Sequence, residues 1–118
     1  MMKIKYTTIA VTSMEESIKF YRDILGLTVD RQFKPMPGLT ITFMKGEGES
    51  IIELIESEET RKSPGMIAVG LEVKDMNATI KDLKSKGAKI IQEPTPISNG
   101  ILAFVEDPNG VHVAILQH

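Results

Sequence analysis

The 118-residue chain has no cysteine and no tryptophan, and only four phenylalanines, two tyrosines and two histidines. Without cysteine, disulfides, thiolate nucleophiles and Cys-type zinc sites are excluded. With so few rings, a large planar ligand would find few stacking partners. No apolar run is long enough to span a bilayer. The opening stretch, MMKIKYTTIAV, alternates apolar and polar residues. It reads as a strand rather than as the apolar core of a signal peptide. Charge of one sign is also lacking: 14 Lys and Arg stand against 16 Asp and Glu, for a net charge of -2. With no basic stripe, neither a nucleic-acid partner nor a membrane partner is expected, and the composition points to a cytoplasmic protein.

What is present is one domain's worth of chain with strong punctuation. Ser13-Met14-Glu15-Glu16 has the S-x-x-E form of a capping box. Met14, Ile18, Tyr21 and Leu25 follow at helical spacing, and Gly26 suits the left-handed position that ends a helix. A second helix is expected from the N-cap Asp75 through Met76, Ile80 and Leu83 to Gly87. Both carry charge on the opposite face, so each should lie on one side of a sheet. Strands are expected over residues 4–11, 27–33, 39–45, 50–56, 67–73, 88–92, 101–105 and 111–116. Turn signals separate them at 34–38, 46–48, 94–96, 99–100 and 107–110. Residues 57–65 read as a polar linker, with Glu56, Glu58 and Glu59 as a solvated face.

The order is therefore βαβββ, linker, βαβββ: an α+β fold with two modules at about 1–57 and 66–117. The halves repeat at an offset of 61 to 62 residues. Val11 matches Val73, Met14 matches Met76, Ile18 matches Ile80 and Gly26 matches Gly87.

Two motifs carry a family resemblance. The first half holds Ser17-Ile18-Lys19-Phe20-Tyr21-Arg22-Asp23-Ile24-Leu25-Gly26, and the second holds Glu106-Asp107-Pro108-Asn109-Gly110. In combination they make the chain resemble the vicinal oxygen chelate superfamily, which comprises glyoxalases, bleomycin-resistance proteins and extradiol dioxygenases. The resemblance covers nearly the whole chain. It implies curved sheets around a cup, helices on the convex side, and a homodimer. In metal-dependent members, it implies a divalent ion held by His or Glu side chains from the first and fourth strands of each module.

Carried over residue by residue, those ligand positions fall on Tyr6, Glu53, Ala68 and Ala114. Alanine donates nothing, and tyrosine binds well only as phenolate. The expectation is thus a small-molecule binding protein without the usual metal site and with no cofactor. Glu53, Tyr6, Thr8 and His112 are the ligand-binding candidates. Period-two counting puts Thr8 on the face of Tyr6, and His112 on the face of Ala114 and Leu116. Two alternatives stand beside this reading. One is a lyase, isomerase or dioxygenase with a non-standard divalent metal site built from Glu53, His112 and Tyr6. The other is a dimeric interaction module whose cup is filled by Met36, Phe43, Met44 and Phe104. No catalytic nucleophile–base pair is evident in the sequence.

Overall fold

A computed structural model of the protein describes residues 2–65 and 67–118, apart from the side chain of Ile67. The expected module starts at residues 1 and 66 lie outside the described residues. The element order is β1 (Lys3–Ala10), α1 (Met14–Lys19), β2 (Thr28–Met36), β3 (Leu39–Lys45), β4 (Ile51–Glu56), α2 (Glu58–Lys62), β5 (Ile67–Glu72), α3 (Met76–Ser85), β6 (Lys89–Ile97), β7 (Gly100–Glu106) and β8 (His112–Gln117). The class is α+β, with the βαβββ order occurring twice. The chain divides into a first unit, Tyr6–Ile67, and a second unit, Met1–Lys5 with Ala68–His118. No helix among the described residues is long and apolar enough to cross a membrane.

In the first unit β1 runs parallel to β4, and β3 pairs antiparallel with both β4 and β2. The second unit repeats this: β5 runs parallel to β8, and β7 pairs antiparallel with β8 and β6. One face of each sheet is apolar and covered by its helix. Val11, Met14, Met44 and Leu54 form the first core, and Val73, Met76, Ile80, Ala103 and Ile115 the second. Leu54 and Met44 are fully buried, as are Ile115 and Met76. The buried methionines thus act as core filler, a use that suits their flexible, polarisable side chains.

The helices start in matched ways. Ser13 accepts from the Glu16 amide at 3.2 Å, and Asp75 from the Ala78 amide at 3.0 Å. The last strand of each module adds a second acceptor: Glu56 for the Met14 amide at 3.3 Å, and Gln117 for the Met76 amide at 2.6 Å. These side chains satisfy amides that have no partner inside the helix.

Their ends differ. From Ser13 to Gly26 is 13 positions, but from Asp75 to Gly87 only 12. The longer segment does not continue as α-helix to Leu25, as its spacing predicts. α1 gives way to a π turn over Phe20–Ile24, with the Leu25 amide reaching back to the Phe20 carbonyl at 3.1 Å. A π turn absorbs one extra residue without moving the capping glycine off its site. Gly26 and Gly87 keep the same left-handed φ, 81° and 85°.

Three other expectations are corrected. Residues 57–65 are not a plain linker: Ser57 and Thr60 cap α2 reciprocally, and the buried Thr60 hydroxyl donates to the Val11 carbonyl at 3.0 Å. Glu56 is not simply solvated, since it also pairs with Arg61 at 3.3 Å. The prolines expected to break β2 and β6 lie inside them instead, at Pro35, Pro94 and Pro96. Each of these strands pairs on only one side within its unit and carries register shifts. Such edge positions tolerate a residue with no amide to donate.

Candidate functional site

The face of the first sheet opposite α1 carries the polar residues. Strand register aligns three of them with Phe43 in one row across four strands: Arg31 opposite Phe43, Phe43 opposite Glu53, and Glu53 opposite Thr8. Side chains alternate between faces, so this row points away from the core that holds Thr42, Met44 and Leu54. Tyr6 stands one row along on the same face, opposite Ile51.

Two contacts organise the row. The Thr8 hydroxyl donates to Glu53 Oε1 at 2.7 Å. The rings of Phe33 and Phe43 meet edge to face at 5.4 Å, and the Arg31 guanidinium lies over Phe33, 4.6 Å from its centre. Glu53 is half-buried among Ile51, Ile55 and Phe43. Burial raises its pKa above the ordinary carboxylate value, and the Thr8 hydrogen bond opposes part of that rise. Tyr6 is pushed up to about 12, by burial first and then by the negative charge of Glu53. The site can therefore accept hydrogen bonds at Glu53 and donate them from Tyr6, which stays a phenol at neutral pH.

Tyr6, Thr8 and Glu53 are thus brought together within the first unit. His112 belongs to the second unit, where it is exposed, pairs with Ala68 and Glu106, and lies with its ring 6.4 Å from that of Phe104. Unbroken pairing from Glu106–His112 to Phe104–Ala114 keeps it on the face of Ala114. The proposed filling of a cup by Met36, Phe43, Met44 and Phe104 does not hold as a set. Met44 is wholly buried under α1, on the opposite face from its neighbour Phe43, and Met36 is 59% exposed.

Only Glu53, among the positions the resemblance assigns to metal ligands, carries an ordinary metal donor. Of the four positions the resemblance assigns to ligands, Ala68 and Ala114 have no donor atom, and Tyr6 is held further from phenolate than a free tyrosine. Among the described residues no three His, Asp or Glu side chains come close enough together to hold an ion. The sequence reading passed over Arg31 and Phe33. Counting back from the turn pair Met36–Leu39 would set Arg31 opposite Met44, on the core face; a register shift between Phe33 and Met36 brings Phe33 opposite Ile41 and Arg31 opposite Phe43 instead.

Residues 3–115 match the family model of the Glyoxalase/Bleomycin resistance protein/Dioxygenase superfamily. The chain belongs to this superfamily. A probable lactoylglutathione lyase of Synechocystis sp. is 34% identical, over 98% of this chain and 95% of that protein. A lactoylglutathione lyase of Haemophilus influenzae is 31% identical, over 99% and 93%. Among solved structures, a hypothetical protein from Bacillus halodurans superposes with a TM-score of 0.84 at 28% identity, covering 99% of this chain and 94% of that one. Methylmalonyl-CoA epimerase from Mycobacterium tuberculosis superposes with a TM-score of 0.80 at 22% identity, over 97% and 86%, a likeness of fold alone.

Proposed function

We propose that this protein binds a small molecule on the open face of its first unit without the superfamily's usual metal, using Glu53 as the polar anchor. The observation that carries this is the Thr8–Glu53 hydrogen bond at 2.7 Å in a half-buried, largely apolar setting. A carboxylate held by one hydroxyl keeps further lone pairs for a ligand donor. The aromatic and aliphatic surround is typical of small-molecule sites. Membership of the superfamily supports the same reading.

A thermal-shift screen of metabolites and antibiotics tests it, followed by titration of a hit into wild type and Glu53→Gln. We expect the substitution to weaken binding by about 1–3 kcal/mol, the usual consequence of leaving a buried donor unpaired. Equal affinities would overturn the anchor role.

A second reading is favoured by the names of the relatives at 34% and 31% identity: a lyase with a non-standard metal site. Elemental analysis separates the two. Near-stoichiometric Zn, Ni, Mn or Fe, lost in Glu53→Ala, together with activity on lactoylglutathione, would establish the lyase.

The proposal includes a homodimer in the cytoplasm. β2 and β6 each leave one edge unpaired within their unit, and such edges are commonly covered by another chain. Light scattering at micromolar concentration should give about twice the chain mass of 13.1 kDa, and the monomer mass would refute this.

A further inference from the structure

The row on the first sheet has two chemically different ends, and this identifies the kind of ligand it suits. The inference rests on the binding role proposed for Glu53. Arg31 occupies one end. The residue is exposed, its guanidinium lies over the Phe33 ring 4.6 Å from the ring centre, and it forms no ion pair with any described residue. Its neighbours are already engaged differently: Lys45 pairs with Asp30 at 3.4 Å, and Gln32 turns to the core side to donate to Thr42 at 2.9 Å. A guanidinium over a ring face keeps its N–H groups available to meet a planar anion with two hydrogen bonds. Glu53 occupies the other end, with Phe43 between the two in direct register. Two strand spacings separate the backbones of Arg31 and Glu53, about 10 Å.

We propose that the ligand is a small amphipathic carboxylate: its anionic group pairs with Arg31, its apolar body lies on Phe43, and a hydroxyl or N–H at its far end donates to Glu53. The separation of the two polar ends selects against short diacids, which cannot reach both, and the carboxylate at Glu53 repels a second negative charge. Arg31 is therefore the specificity-determining residue for charge, and Glu53 for the distal donor. The equivalent row of the second unit has Gln92 opposite Phe104 and Ala114 opposite Phe104, so it offers neither end.

The test uses 3-(4-hydroxyphenyl)propanoate, its methyl ester and 3-phenylpropanoate as probes, titrated into the full-length protein and followed by amide and side-chain NMR shifts. Wild type should bind the hydroxy acid about tenfold more tightly than the ester, the value of a charge-assisted hydrogen bond. Shifts should centre on Phe33 and Phe43. Arg31→Gln, which copies the residue at the matching position of the second unit, should abolish the preference for acid over ester while leaving the preference for the hydroxyl. Glu53→Gln should do the reverse. Arg31 is exposed, so its variant should keep the wild-type spectrum away from the row. If acid and ester bind equally but the hydroxyl still matters through Glu53, the carboxylate inference fails and the binding role of Glu53 survives. If no probe binds at millimolar concentration, or shifts fall away from the row, the inference is overturned. If charge matters through Arg31 but Glu53→Gln changes nothing, the two-ended site is overturned along with the anchor.

Discussion

The two units carry the same row of four positions in different chemistry. In the first, strand pairing aligns Arg31, Phe43, Glu53 and Thr8; in the second, it aligns Gln92, Phe104, Ala114 and Gly70. The phenylalanine is shared. So are the fully buried pair Leu54 and Ile115, the helix-starting Met14 and Met76, and the amide bonds from Val11 to Ile55 and from Val73 to Leu116, at 2.9 and 2.8 Å. What differs is the side chains in the row: the first is charged and hydrogen-bonded, while the second carries no charge and keeps only Gln92 as a polar side chain. A repeated scaffold can thus keep the core that folds each module while only one module holds a candidate site.

The strongest way to probe that equivalence is to hollow both cores. Leu54→Ala and Ile115→Ala remove matched, fully buried side chains. Each should cost about 2–5 kcal/mol in urea unfolding. A small loss at one position and a large one at the other would mean that the cores are not equivalent.

Exchanging chemistry between the rows should have a smaller and asymmetric effect. Ala114 is 1% exposed and its strand partners are Gly70 and Phe104, which have no side-chain donor, so Ala114→Glu should cost about 2–4 kcal/mol in the same assay. Glu53→Ala removes a half-buried charge whose partner, Thr8, is reachable by water, and should change stability by under about 1 kcal/mol. Comparable losses would mean that Glu53 is structural rather than poised for a ligand.

The smallest effect is in the pH dependence, which only the first row should show. Glu53 and Tyr6 both have raised pKa values in the folded protein. Each then binds more protons folded than unfolded between its two pKa values, so stability falls as pH rises through that window. For Glu53 the contribution is complete below its ordinary value of 4.5 and is lost as pH rises past its folded value. For Tyr6 the loss runs from about 10 to about 12. Chemical unfolding across pH should show both slopes. Glu53→Gln should flatten the acidic one and Tyr6→Phe the alkaline one. The matching positions Ala114 and Ala68 have nothing to titrate. Persistence of a slope after its substitution would assign it elsewhere.

The Asp107 turn shows how much local chemistry was legible. Its carboxylate accepts from the amides of Val111 and Asn109, both at 2.8 Å, and these bonds, the Val111 one foremost, hold its pKa below the usual carboxylate value. Gly110 takes φ 84°. Asp, Asn and Gly announce such a turn because each acts on backbone only a few residues away. The prolines of β2 and β6 were misleading for the converse reason. Whether Pro35, Pro94 or Pro96 breaks a strand depends on whether the missing amide faces a partner, and the partner strand is chosen by tertiary pairing.

The sequence by itself determined the two modules, their helix starts at Ser13 and Asp75, and the glycines that end those helices. All of these depend on residue type and short-range spacing. Tertiary structure decided that the extra residue before Gly26 becomes a π turn and that Ser57 and Thr60 tie a helix to the end of β1. It also decided that Arg31, distant in sequence from Glu53, shares a row with it across Phe43. Strand register is a long-range pairing, fixed when a whole hydrophobic face is buried at once, and so which polar side chains meet on the other face follows only from the assembled sheet.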